Sequence, residues 1–285
     1  MLLKTVPVVL FVGAAAFVTS STVHDTRGAM IPVVTVHAKD FAFDAPKTIA
    51  AGQTSFKLVN DGQNMHHLQI MKLEQGKTFA DLQAAMKNPG PPPTWLVNVG
   101  GPNAAIPGST IEATLNLEAG NYVIACFIPS PGDSTPHFMK GMIQPLTVSA
   151  AGGVSQAGSA EVAAPIPDVH LDMKDYGFVL SKPLHAGKNV IHVMNEGPQD
   201  HEAVFVKLAP GKHIADVNAW VTKEGMKGPP PGQPIDGMAA LAKGRTGIFT
   251  ANLTPGTYGL ICFVPDAKDQ KEHSLHGMTS EFTVQ

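Results

Sequence analysis

Residues Leu117–Cys126 read LEAGNYVIAC, and residues Leu253–Cys262 read LTPGTYGLIC. The two segments carry Leu, Gly, Tyr and Cys at the same four places. Each has a glycine turn signal followed by an apolar run, a pattern that predicts a turn leading into a β-strand. The cysteines that end the two segments are the only two in the chain. A pattern that occurs twice in this way points to an internal repeat.

The same register extends on both sides of these segments. An offset of 135 residues before the proline-rich stretches, and of 136 after them, aligns one half of the chain with the other. The aligned positions that bear on chemistry are His66 with His201, Cys126 with Cys262, His137 with His273, and Met142 with Met278. We therefore predict a tandem duplication, with one domain over residues 31–150, a flexible linker over 151–164 and a second domain over 165–285.

The first 30 residues are predicted to be an export signal and a disordered lead. Lys4 gives a short positive region, and Val6–Val18 is apolar or small throughout. This length suits a signal peptide and is short for a membrane span, which needs about 20 residues. We expect a protein of the periplasm or the extracellular space, with no membrane span once the signal is cleaved.

Composition and patterning favour an all-β protein. Hydrophobic residues make up 44% of the chain, which is enough for a sizeable core, and its 28 Gly and 24 Pro fit many turns. Short alternating runs bounded by turn residues predict two tandem Greek-key β-sandwiches. Each domain is expected to carry one short helical insertion, at Thr78–Lys87 and His213–Lys223. With a net charge of −3 the chain has no surplus of basic residues to neutralise phosphates, so nucleic acid is not expected as a partner.

Each half of the chain carries four candidate metal ligands in the same order. A His is followed by the one Cys of its half, then by a His eleven residues later and a Met five residues after that. The two sets are His66, Cys126, His137 and Met142, and His201, Cys262, His273 and Met278. Two imidazoles, one thiolate and a weak axial thioether form the ligand set of a blue-copper electron-transfer site.

Longer motifs around these residues resemble the cupredoxin family, which includes plastocyanin and azurin. The matching motifs are V-N-D-G-x-x-x-H at Val59–His66, L-x-x-G-x-Y-x-x-x-C at Leu117–Cys126 and P-H-x-x-x-G-M at Pro136–Met142, each with its counterpart in the second half. The Leu-x-x-Gly-x-Tyr segment also resembles the tyrosine corner of Greek-key sandwiches. The resemblance implies one type 1 copper per domain, bound by the four residues listed above, and electron transfer to a partner protein that the sequence does not identify.

One departure from the family concerns the loop between the cysteine and the second histidine. Ten residues separate them in each half, Phe127–Pro136 and Phe263–Glu272, where cupredoxins usually have only a few. A longer loop is affordable, because each doubling of loop length costs about 0.6 kcal/mol. If these histidines are not ligands, His67 and His276 are the next candidates. The charged second loop predicts that the second site is the more exposed of the two.

Other functions are less well supported by the residues. Multicopper oxidases and nitrite reductases join their copper centres through a His beside the Cys and through His-x-His pairs. Here Ala125 and Ile261 precede the cysteines and the chain has no His-x-His, so we do not expect an enzyme. A copper carrier using Met65, His67 and Met139 together with His66 and Met142 remains an alternative. So do a metal-free cupredoxin-like domain with cysteines buried as small hydrophobic residues, and a Cys126–Cys262 disulfide.

Overall fold

The computed structural model describes residues 29–87, 92–150 and 160–285, which fold into two β-sandwich domains. The predicted signal peptide lies outside the described residues, as do Pro91 and residues 151–159 of the predicted linker. No helix in the described ranges is long and apolar enough to cross a membrane.

The first domain has nine strands and one helix. They are β1 (Met30–Lys39), β2 (Ala42–Asp44), β3 (Thr48–Ala50), β4 (Gly52–Asn60), β5 (Gln69–Leu73), α1 (Phe79–Ala85), β6 (Leu96–Gly100), β7 (Thr110–Leu117), β8 (Gly120–Ala125) and β9 (Ile143–Ser149).

After a short connecting strand, the described part of the second domain repeats this order without a counterpart of β3. Its elements are β10 (Glu161–Ala163), β11 (Val169–Lys174), β12 (Gly177–Leu180), β13 (Gly187–Asn195), β14 (His201–Leu208), α2 (Ile214–Thr222), β15 (Gly232–Leu241), β16 (Thr246–Leu253), β17 (Gly256–Ile261) and β18 (Thr279–Val284). The strand β10, which falls in the predicted linker, pairs with β1 of the first domain.

The two domains have matching strand orders. In one sheet β1 runs parallel to β4, which pairs antiparallel with β7, and β11, β13 and β16 repeat this arrangement. In the other sheet β5 lies between β6 and β8, and β14 lies between β15 and β17. The outer strands β9 and β18 follow in the same way. The predicted all-β fold of two sandwiches is therefore confirmed.

The domains meet edge to edge, so both sheets continue from one domain into the other. In one sheet, β7 pairs with β16, where Ala113 lies opposite Phe249. In the other, β6 pairs with β15, where Val99 lies opposite Leu241. The result is two nine-stranded sheets that enclose one continuous hydrophobic core. The alternation of apolar and polar residues in the sequence does not predict β6 or β15, although their pairing is one of the two that form this junction.

The predicted tyrosine corners and helices are present. The Tyr122 hydroxyl donates to the Glu118 carbonyl at 2.8 Å, and the Tyr258 hydroxyl donates to the Thr254 carbonyl at the same distance. Such a bond contributes about 1 kcal/mol when its partners are buried. Each corner fixes the turn that starts β8 or β17, the strands that lead to the two cysteines.

Candidate metal centres

The first cluster forms where three segments meet at one end of the first sandwich. His66 pairs by its backbone with Ala105 just before β5, Cys126 directly follows β8, and His137 begins a 3₁₀ turn. The two Nδ1 atoms lie 3.1 Å apart, and the Cys126 Sγ lies 3.9 Å from Nδ1 of His66 and 3.5 Å from Nδ1 of His137. All three side chains are fully buried.

The second cluster repeats this geometry. His201 begins β14, Cys262 follows β17 and His273 begins the matching 3₁₀ turn. The Nδ1 atoms of the two histidines lie 2.9 Å apart, and the Cys262 Sγ lies 3.6 Å from Nδ1 of His273. In each domain the structure thus brings three of the four candidate residues together.

These donor atoms fit a copper ion in each domain. Metal-bound nitrogen and sulfur atoms lie about 2.0–2.3 Å from the ion, so donors sharing one ion cannot be more than about 4.6 Å apart. The distances given above satisfy that limit. A thiolate with two imidazoles suits both oxidation states of copper, because sulfur favours Cu(I) and imidazole accommodates Cu(II). The Nε2 atoms of His137 and His273 have no hydrogen-bond partner among the described residues, and the Nδ1 atoms face the clusters.

A carboxylate holds the first histidine of each cluster. Asp40 Oδ1 lies 3.1 Å from His66 Nε2, and Asp175 Oδ1 lies 2.5 Å from His201 Nε2. When Nε2 carries the ring proton, it donates to the carboxylate and the Nδ1 lone pair faces the cysteine. Carboxylates that hydrogen-bond to a metal-bound imidazole orient its ring in this way. Asp40 and Asp175 occupy matching positions in the two halves of the chain, although the predicted ligand sets do not include them. Their repetition at the offset of 135 was the signal that could have identified them.

The glycines of the N-D-G and N-E-G motifs make room for this contact. A Cβ added to Gly62 would lie 2.6 Å from Asp40 Oδ1 and 2.9 Å from His66 Nε2. At Gly197 the corresponding Cβ would lie 2.6 Å from His201 Nε2. Real Cβ atoms essentially never approach other atoms so closely, so glycine is required if the carboxylate and the imidazole are to meet.

We expect Gly62→Ala to lower the copper affinity of the first domain by about tenfold or more. The added Cβ would displace Asp40 from His66, and loss of the group that orients a metal-bound imidazole typically lowers metal affinity by that factor. The second domain should keep its affinity. Competition with a chelator would measure both values. Gly177→Ala is the control, since a Cβ there has nothing within 4 Å. An unchanged first site in Gly62→Ala would show that the Asp40 contact does not orient the ligand.

The long loop folds back as a small hairpin and returns its histidine to the cysteine. In the first domain, Ser130 N donates to Thr135 O at 2.9 Å and His137 N donates to Ile128 O at 3.0 Å. In the second, His273 N donates to Val264 O at 2.9 Å. The ten intervening residues therefore form a protrusion that brings His137 and His273 back to the cysteine of their own domain.

The two methionines lie beside the clusters and are fully buried. Met142 N donates to His137 O, and its carbonyl accepts from Cys126 N, both at 3.1 Å. Met278 makes the same two bonds with His273 and Cys262. The backbone thus ties each methionine to two other members of its set, and its role as the axial ligand remains a prediction.

The structure contradicts one alternative and one expectation about the surroundings of the sites. Cys126 and Cys262 are both free and buried, so no disulfide joins the domains. His273 is as fully buried as His137, so the second site is not the more exposed. Its loop is held by Asp266, which is 1% exposed and accepts hydrogen bonds from Tyr176 and Gln199.

The rival histidines do not join the clusters. His67 Nε2 accepts from Phe127 N at 2.8 Å, and His276 lies 3.1 Å from Asp269.

Burial sets the charge state of the metal-free clusters. It raises the pKa of Cys126 to about 12 and also raises that of Cys262. Burial lowers the pKa of His137 and of His273 to about 4. At neutral pH, each cluster thus offers neutral imidazoles and a protonated thiol.

Comparison with known proteins identifies no relative by sequence, since no family model and no curated protein matches the chain. Among solved structures, auracyanin from Roseiflexus castenholzii is 22% identical over 41% of this chain and 97% of that chain, with a TM-score of 0.30. A multicopper oxidase is 11% identical over 91% of this chain and 93% of that chain, with a TM-score of 0.26. A copper nitrite reductase from Nitrosomonas europaea is 13% identical over 89% of this chain and 93% of that chain, with a TM-score of 0.25. The two His-Cys-His clusters and the paired sandwiches that carry them are features of this chain's own structure.

Proposed function

We propose that this chain is an exported electron-transfer protein with a type 1 copper site in each domain. The observation that carries the proposal is the twofold convergence of two imidazoles and one thiol within fully buried clusters. Copper bound there supplies a centre that gains and loses one electron. The proposed ligands are His66, Cys126, His137 and Met142 in the first domain, and His201, Cys262, His273 and Met278 in the second.

The polypeptide contributes preorganisation to this function. Asp40 and Asp175 hold one imidazole of each site, and the hairpin loops hold the other. The backbone N–H groups of His67 and Glu202 donate to the cysteine sulfurs at 3.5 Å. Sites fixed by so many contacts need little rearrangement when their charge changes, which favours rapid electron exchange.

Copper titration followed by visible absorption tests the proposal. We expect two copper ions per chain and the intense blue band of a copper–thiolate site. Tight but colourless Cu(I) binding would favour a carrier, and failure to bind copper would favour a metal-free role. Measurable turnover of dioxygen or nitrite would contradict the proposal that the protein is not an enzyme.

Copper binding should strengthen as pH rises through the neutral range. The thiol of each site is protonated in the metal-free protein because its pKa is raised, so binding must displace one proton. The affinity should therefore increase about tenfold per pH unit. Below about pH 4 the dependence should steepen, because His137 and His273 then also carry protons that must leave. Calorimetry in buffers of different ionisation enthalpy would count the released protons, and a pH-independent affinity would contradict the expectation.

A further inference from the structure

The residues that follow the first histidine ligands lie between the two clusters. His67 follows His66, and Glu202 occupies the matching position after His201. Through their backbone N–H groups, both residues contact the cysteine sulfur of their own domain. Their side chains are 6% and 8% exposed.

Asn103 joins these two side chains across the domain junction. Its Oδ1 lies 3.3 Å from His67 Nδ1, and its Nδ2 donates to Glu202 Oε2 at 2.9 Å. Asn103 is itself 2% exposed. The outer ends are bonded as well, since Phe127 N donates to His67 Nε2 at 2.8 Å and Phe263 N donates to Glu202 Oε1 at 3.0 Å. We call His67, Asn103 and Glu202 the interdomain bridge.

The hydrogen bonds of the bridge define one arrangement of protons. His67 Nε2 accepts from a backbone N–H, so the ring proton is on Nδ1 and donates to Asn103 Oδ1. The Asn103 amide then donates to the Glu202 carboxylate. Each side chain therefore has a partner on both sides, and the path from Cys126 to Cys262 contains covalent bonds and hydrogen bonds alone.

Burial of the interdomain bridge costs free energy, because its three side chains are polar. Apolar residues of similar volume would pack there without the expense of burying a carboxylate. Positions 67 and 202 match in the two halves, but one carries His and the other Glu. Asn103 can hydrogen-bond to both groups. Such an arrangement calls for a role beyond packing.

We propose that the interdomain bridge is the electronic link between the two copper sites. This inference rests on the proposed function, because it requires a redox-active copper in each domain. One electron passes from the site holding Cu(I) to the site holding Cu(II), so that one centre is oxidised as the other is reduced. No bond forms or breaks, and no proton leaves the bridge. Electronic coupling falls off more slowly along bonded contacts than across gaps, which favours this route.

Asn103→Leu tests the link, because it removes both central hydrogen bonds at nearly constant volume. Proton NMR of half-reduced protein would give the rate at which the electron exchanges between the first and the second copper site. The rate of this intramolecular exchange is the component that does not depend on protein concentration. We expect this rate to fall by about tenfold or more, since connected networks lose more than a single contact when their centre is removed. The visible spectrum and both reduction potentials should stay as in the unmodified protein.

Gln69→Leu is the matched control. Gln69 is a buried residue that bonds Ala240 across the same junction, but it does not belong to the bridge. Its exchange rate should stay within about twofold of the original, because the network that carries the coupling is intact. An equal loss in both variants would assign the effect to the junction and overturn the proposal.

Two further measurements cover the remaining outcomes. Glu202→Gln sets an amide donor against the Asn103 amide or the Phe263 N–H, so it should slow exchange even if Asn103→Leu does not fold. In metal-free protein, ¹⁵N spectra should show the His67 proton on Nδ1, and a proton on Nε2 would overturn the proposed path. If the unmodified protein binds two blue copper ions but exchanges no electron between them, the link fails and the proposed function stands. Absence of blue copper would overturn both.

Discussion

His137→Ala and His273→Ala will each remove the copper of one domain and about half of the blue absorption, because each variant deletes one of the three strong ligands of its site. The fold should persist, since both side chains lie at the end of a sandwich whose sheets and tyrosine corners are independent of them. Metal analysis and the visible spectrum of each variant measure the effect.

The control for this experiment is His276→Ala. His276 lies three residues beyond His273 in the same 3₁₀ turn, but its ring contacts Asp269 and not the cluster. This variant should keep both copper ions and an unchanged spectrum. Full occupancy in both ligand variants would show that the hairpin loops do not supply ligands, and the assignment of both sites would fall.

Asp40→Asn and Asp175→Asn should each weaken copper binding in their own domain by about 10- to 100-fold, as removal of the partner that orients a metal-bound imidazole typically does. The amide has nearly the same shape as the carboxylate, so the change acts mainly through the imidazole hydrogen bond and its charge. Chelator competition at each site would measure the affinities.

Asp61→Asn is the corresponding control. Asp61 lies in the loop that leads from β4 to His66, but it is exposed and bonds His37 on the surface. Copper affinity should not change in the Asp61→Asn variant. A loss in Asp61→Asn as large as in Asp40→Asn would mean that loop charge in general, and not the orienting contact, governs binding.

The convergence of His, Cys and His in each domain could be predicted because the same series occurs twice in the sequence. One His-Cys-His-Met series is weak evidence, but two in matching register, each behind a tyrosine corner, constrain both the fold and the site. The hairpin loops were also foreseeable, since the loop length was the same in both halves and loop closure depends only weakly on length.

The junction between the domains was not predictable in the same way. The strands β6 and β15 follow proline-rich loops, and their sequences show no clear alternation of apolar and polar residues. Each strand is covered by the neighbouring domain, and a local sequence pattern does not reveal that domain. Asn103 is an ordinary loop residue in the sequence, and only the tertiary fold brings it between His67 and Glu202. Side chains that recur in register could be found from the sequence, whereas contacts between the two domains could not.

The pairing of β6 with β15 and of β7 with β16 has a consequence for a half-length chain. The first domain alone would expose β6 and β7 as open strand edges, and open edges recruit other strands. A second copy of the same chain would cover both edges at once. The present molecule therefore has the strand pairing of a homodimer within one polypeptide, and its two halves carry different residues where they touch.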